Sequence, residues 1–149
     1  MVAADARPVV LSVVLAGWEN EWSTSLRGRC LYSLHPSVKL PGTLDRLRGR
    51  EAALLSRLRT GHVRLNGWAF KMRLARLPRC ACGAVEETVD HFLLECDRFR
   101  AERRRFLPSV GAASSLQYLL CVKPHAGPDC LRRLREVVKF CQATSRFVQ

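Results

Sequence analysis

Cys80, Cys82, His91 and Cys96 form a C-x-C-x8-H-x4-C pattern. Thiolate sulfur and imidazole nitrogen are the usual ligands of structural zinc, four to a tetrahedral site. Close ligand pairs come from tight turns, and Gly83 supplies permissive backbone just after the first pair. The chemistry on offer is the binding of one Zn²⁺ ion. The same residues admit a second reading: Cys96 joins an apolar helical face with Phe92 and Phe99, and His91 is solvated. On a regular helix, residues five apart differ by about 140° around the axis. His91 and Cys96 can then share an ion only if the helix starts after His91 or is distorted there. A thiol enzyme, with Cys80 or Cys96 as nucleophile and His91 as base, lacks a third, orienting group.

The elements that must position this set are helical. Trp18 and Trp22 lie four apart on one face and are expected in the core. Gly28, Pro36, Pro41 and Gly42 mark a short element and a loop. Thr43 is placed to cap a helix whose apolar face is Leu44, Leu47, Leu54, Leu55 and Leu58, and Gly61 ends it. A second helix is expected from Gly67 to Leu77, with Trp68, Met72 and Ala75 inward and Pro78 as its stop. Thr88 is placed to cap a third, in which Val89, Phe92, Leu93, Cys96, Phe99, Arg103 and Phe106 recur up to Pro108. A short helix over 115–121 and a last one capped by Asp129, with Leu134, Val137, Val138, Cys141 and Val148 on one face, complete the chain. Strand alternation is weak and confined to residues 8–15 and 30–34.

The expected fold is mainly α: one compact multi-helix domain over 1–149, with a small Cys3His zinc knuckle between helices. Its parts are an N-terminal helix and loop (1–42), a helical pair (43–77), the knuckle plus a basic helix (78–107) and C-terminal helices (108–149).

Net charge is +12, and 21 of the 25 basic residues are Arg. Arg pairs with phosphate through a planar fork and stacks on bases. A basic chain of this size most often meets nucleic acid; GC-rich coding sequence is the alternative source of so much Arg. Seven cysteines, an odd number, do not suit a secreted disulfide scaffold. The apolar run PVVLSVVLAG after Arg7 resembles a signal-peptide core, but Asp5 stands where positive charge belongs and the run is too short to span a bilayer. It is read as a buried helix or strand. The protein is expected to be intracellular, nuclear or cytoplasmic, with reduced thiols and no membrane association.

Larger motifs run through the chain. Trp18, Trp22, Gly28, Arg29, Leu31 and Tyr32 give W-x3-W followed by G-R-x-L-Y. Residues 58–62 read L-R-T-G-H, 78–83 read P-x-C-x-C-G, 87–96 read E-T-x-x-H-x-L-L-E-C, and 144–147 read T-x-R-F. Together they resemble the C-terminal tail of reverse transcriptase polyproteins from non-LTR (LINE-like) retrotransposons that carry a ribonuclease H domain. The likeness covers roughly residues 18–149, and the Cys-His block with L-R-T-G-H is its specific part. The resemblance implies a zinc knuckle with Cys80, Cys82, His91 and Cys96 as ligands, contributing to nucleic-acid binding. The C-x-C pair is at the tight edge of the family's spacing.

Catalysis is not expected. Reverse transcription needs carboxylates that hold Mg²⁺, and no Y-x-D-D occurs after Tyr32 or Tyr118. The 13 acidic residues are scattered through basic, helical contexts. On the resemblance, the chain reads as a detached fragment or captured remnant of a larger enzyme. Phosphates of RNA or DNA are the expected partner, with no small-molecule substrate. The phosphate-binding role is assigned to a basic saddle of Lys71, Arg73, Arg76, Arg79, Arg98, Arg100, Arg103, Arg104 and Arg105. Glu95 with Arg98 and Glu102 with Arg105 are the local ion pairs that would compete. A helical protein-interaction or scaffold domain without nucleic-acid binding is the alternative. His62 is assigned a structural role at its helix end, His35 and His125 carry no chemistry, and Cys121, Cys130 and Cys141 are packed thiols.

Overall fold

A computed structural model of the chain describes residues 7–39, 42–108, 110–111, 114–122 and 127–147. Among them the structure is mainly helical, with no strand. The α-helices are α1 (Arg7–Thr24), α2 (Arg29–Leu34), α3 (Gly49–Thr60), α4 (Asn66–Lys71), α5 (Arg100–Phe106), α6 (Leu116–Leu119) and α7 (Cys130–Ala143).

The core forms where the apolar faces of α3 and α7 meet, with α5 also packed on α7. Leu55 and Leu58 of α3 and Leu134, Val137, Val138, Phe140 and Cys141 of α7 are buried, as their helical spacing predicts. Phe92 is the hub. Its ring lies 5.3 Å from Phe99, 5.2 Å from Phe140 and 5.2 Å from Phe147, in tilted or edge-to-face contacts. Cys121, Cys130 and Cys141 are buried thiols, and burial pushes both Cys121 and Cys141 up to about 12.

Several boundaries differ from expectation. Thr43 lies in a 3₁₀ turn over Gly42–Arg46, and α3 starts only at Gly49, where Glu51 reaches back to the Arg48 amide at 3.1 Å. The second helix stops at Lys71. Arg73 takes a positive φ of 59°, and the amides of Leu74 and Ala75 fold back onto the Ala69 carbonyl, leaving Met72 exposed. Asp129 precedes α7 without a side-chain cap and pairs with Arg132 instead. The expected positions Pro41, His125 and Val148 lie outside the described residues.

The apolar N-terminal run is the largest correction. It is helical, but no residue of α1 is buried: Val9, Leu11 and Val13 are 64%, 58% and 67% exposed, and Trp18 is exposed too. The second half of α1 is tied down. Trp22 donates its indole N–H to the His35 carbonyl at 3.2 Å and meets the Tyr32 ring edge at 5.7 Å. Glu19 accepts from the Ser37 hydroxyl and the Val38 amide. Among the described residues, no helix is long and apolar enough to cross a membrane.

Gly61 ends α3 as its sequence position predicts, in the left-handed region at φ 74°. A Cβ there would meet the Cys30 sulfur at 2.9 Å. Gly61→Ala is expected to cost about 1–3 kcal/mol from backbone strain, read as a lower Tm. Adding Cys30→Ala relieves only the crowding. If the single variant melts like the wild type, the turn does not need glycine.

Candidate metal centre

The first ligand pair sits in a tight turn. The Cys80 amide donates to the Ala84 carbonyl at 3.0 Å and the Gly83 amide donates to the Cys80 carbonyl at 3.0 Å. Gly83 takes a φ of 101°, a conformation that L side chains rarely adopt. The second pair is set by an irregular helix. Thr88 caps its start, its hydroxyl accepting from the His91 amide at 3.1 Å. Residues His91–Glu95 form one π-turn, closed by the Cys96 amide donating to the His91 carbonyl at 2.7 Å. An i→i+5 bond stacks residues five apart, which an α-helix cannot do. The conflict between His91 and Cys96 is thereby removed by distortion of the helix. The expected continuous third helix is instead broken into this π-turn, a 3₁₀ turn over Asp97–Phe99, and α5.

The four ligand atoms, one from each of Cys80, Cys82, His91 and Cys96, all lie within 4.8 Å of one another. The Cys80 and Cys96 sulfurs are 3.6 Å apart, and Cys82 Sγ is 3.2 Å from His91 Nε2. Sulfurs about 2.3 Å from a tetrahedral zinc ion would be spaced by about 3.8 Å. The donor set and its spacing therefore fit a four-coordinate, thiolate-preferring ion. Electrostatics agree. Burial among neighbouring thiols pushes Cys96 up to about 12, while the Ala84 amide, outweighing burial and helped by the neighbouring ligands, holds Cys82 down at about 7. A bound cation would favour the thiolate form of all three. His91 turns its other nitrogen, Nδ1, toward Glu95 Oε2 at 3.6 Å. A carboxylate behind a ligand histidine orients the ring.

Glu95 thus faces His91 and not Arg98, whose guanidinium lies over the Phe99 ring. Arg105 likewise lies over Phe106 and not beside Glu102. Of the basic saddle, Lys71, Arg73, Arg76, Arg79, Arg98, Arg100, Arg104 and Arg105 are exposed. Lys71 pairs with Glu86 at 3.0 Å and Arg100 with Asp97. Arg103 is the exception and a correction. It is 8% exposed, and its guanidinium donates to the Phe92 and Cys96 carbonyls. Its fork braces the main chain at Phe92 and Cys96 and is buried there, away from solvent. Burial also lowers its pKa.

Two further arginines are structural in the same way. Arg59, 3% exposed, donates to the Leu120 carbonyl through Nε at 3.1 Å and Nη2 at 2.6 Å. Arg133 donates to the Tyr118 carbonyl and lies over the Tyr118 ring. Part of the arginine content therefore serves the fold.

The site also contains a pair that no spacing in the sequence announces. Glu87 is 1% exposed. Its carboxylate accepts from Arg146 Nε at 3.0 Å, Arg146 Nη2 at 2.7 Å and the Asn66 amide at 2.7 Å. Its own amide donates to the Pro78 carbonyl, and the Gly67 amide donates to the Glu87 carbonyl. The Asn66 side chain donates to the Arg79 carbonyl. The start of α4, the knuckle and the segment after α7 are thus locked together. Burial raises the Glu87 pKa, but the Arg146 and Asn66 hydrogen bonds and the Arg146 charge outweigh it and hold the carboxyl below its usual range.

No family model and no solved structure matches the chain. Its homologues are R1 retrotransposon Pol polyproteins. It is 36% identical over 107 residues to the retrovirus-related Pol polyprotein from type-1 retrotransposable element R1 3 of Nasonia vitripennis, covering 72% of this chain and 27% of that one. It is 32% identical over 94 residues to the corresponding R1 polyprotein of Bradysia coprophila, covering 60% and 9%. A further Nasonia vitripennis polyprotein, from element R1 4, is 26% identical over 138 residues, or 89% of this chain and 34% of that one. The chain therefore spans about a quarter of the Nasonia vitripennis R1 3 polyprotein and less than a tenth of the Bradysia coprophila one.

Proposed function

We propose, from this kinship with part of the R1 polyproteins, that the chain is a non-catalytic, zinc-dependent module that binds RNA or DNA through phosphates. The observation that carries the reading is the convergence of Cys80, Cys82, His91 and Cys96, with arginines flanking the ligands in the chain. When bound, one Zn²⁺ ion would supply structural cross-linking and positive charge. The residues themselves do the rest. The turn at Gly83 and the π-turn bring the ligands together, and Arg103 braces the carbonyls of Phe92 and Cys96. The segments on either side then present Arg73, Arg76 and Arg79, and Arg98, Arg104 and Arg105. An intracellular setting agrees with seven cysteines held as free thiols.

Binding through phosphates has a salt signature. Neutralising 6–10 phosphates lowers affinity about 10³–10⁵-fold between roughly 50 and 200 mM salt. Arg104→Gln with Arg105→Gln is expected to weaken duplex binding uniformly across sequences. The slope of log affinity against log salt should become shallower by about 0.9 for each phosphate that the variant no longer neutralises. Binding that ignores salt, or a double variant that binds like the wild type, overturns the saddle. A helical protein-interaction domain is the second reading, favoured by the uncovered apolar face of α1. It predicts no RNA or DNA retention even at low salt.

A further inference from the structure

In the L-R-T-G-H stretch, the His62 ring meets the Thr60 carbonyl at 3.1 Å through Nδ1, at the end of α3 as expected. Arg59 holds the Leu120 carbonyl and Gly61 makes the turn, whereas His62 is exposed. Its ring stands edge-on to Trp68, with centroids 6.4 Å apart. Both rings line an open groove of about 450 Å³, together with Arg57, Arg64, Arg146 and Phe147. None of the described lining residues is acidic. Arg146 is committed to Glu87, whereas Arg57 is an exposed cation at the groove. A second cavity of about 390 Å³ that the same two rings also line carries Glu86, Glu87 and Asp90 against one Lys71, and is electrostatically less suited to phosphate.

Trp68 adds a second observation. Its indole N–H is buried and has no hydrogen-bond partner among the described residues. A buried tryptophan kept for structure usually finds an acceptor, and leaving a donor unmade costs about 1–3 kcal/mol. The indole is thus placed by its ring and not by its N–H.

We infer that this groove is a binding site for single-stranded nucleic acid, with a base against the Trp68 and His62 rings and a backbone phosphate on Arg57. Rings beside a cation, with no carboxylate, match a ligand that has flat faces and negative charge. Duplex bases are already stacked and do not offer their faces. The inference rests on the reading above that the chain binds nucleic acid, but it places single strands at a different surface from the saddle. α4 carries Trp68 and is locked to the knuckle through Asn66 and Gly67, so the two surfaces are held by one frame.

The test uses the full chain, loaded with zinc, against a short oligothymidylate and a blunt DNA duplex of equal length. Trp68→Leu is expected to weaken oligothymidylate binding by about 5- to 150-fold, the loss of one stacked base, and to leave duplex binding unchanged. Arg57→Gln should make the single-strand salt slope shallower by about 0.7. Trp68→Phe keeps a stacking face and should retain most of the affinity, which separates stacking from folding if Trp68→Leu fails to fold. Wild-type oligothymidylate affinity in Arg57→Gln and in a folded Trp68→Leu overturns the groove, as does equal binding of oligoglutamate. If Trp68→Leu lowers single-strand binding while Arg104→Gln with Arg105→Gln changes nothing, the groove stands and the saddle falls. The converse result removes the groove alone.

Discussion

Cys96→Ser is expected to abolish metal binding and to unravel the segment from Pro78 to Phe99. Structural zinc contributes about 10–16 kcal/mol of apparent binding free energy at neutral pH, as large as a typical domain's whole stability of about 5–15 kcal/mol. Cys96 concentrates that dependence. It is fully buried, its amide closes the π-turn and its carbonyl receives Arg103. Serine there is a poor ligand and places a hydroxyl against the Phe92 cluster. Cys82→Ser, at a half-buried position, is expected to lose the ion with less damage to the core. Metal per chain, measured after purification without added metal, should be about one equivalent in the wild type and none in either variant. Acid should release the ion, because each thiolate must take back a proton. A metal-free wild type with an unchanged Tm would sink the zinc-dependent reading.

How far the site could be read in advance depends on how local each part is. The ligand set, the Gly83 turn and the Thr88 cap are short-range features, and residue type and spacing suffice for them. The π-turn was legible only as a contradiction: five-residue spacing on an α-helix cannot place His91 and Cys96 together, so the helix had to give way. The leucines of α3 and the apolar face of α7 follow from periodicity. What periodicity cannot supply is a direction for an element with no polar side. The run after Arg7 is apolar enough to be core, yet α1 touches the rest of the molecule mainly through Glu19 and Trp22. Composition misled for a related reason. Arg103 belonged to the expected saddle, yet like Arg59 and Arg133 it donates to main-chain carbonyls. Only three-dimensional proximity shows which carbonyls are left without partners.

Arg146→Ala should be the most destabilising change outside the Cys80, Cys82, His91 and Cys96 cluster. Glu87 and Arg146 are 59 residues apart in the chain, and each belongs to a motif that the sequence presents separately, E-T-x-x-H and T-x-R-F. In the fold they form a two-pronged pair, with Asn66 bonded to both. Removing the arginine strands a carboxylate whose side chain is 2% exposed. Breaking a buried pair in this way costs about 3–5 kcal/mol, and the partial exposure of Arg146 places the loss toward the lower end. Glu87→Met with Arg146→Met should recover much of it, because no charge is then left unpaired. The pH dependence follows from the direction of the Glu87 shift. Its folded pKa lies below the unfolded value of about 4.3. The stabilisation is therefore fully present above that unfolded value and is lost as pH falls through the folded one. Chemical denaturation from neutral pH down through the carboxylate range should show the wild type and the double Met variant converging in acid. If Arg146→Ala unfolds at the wild-type denaturant midpoint at neutral pH, the pair does not anchor the knuckle to the segment after α7.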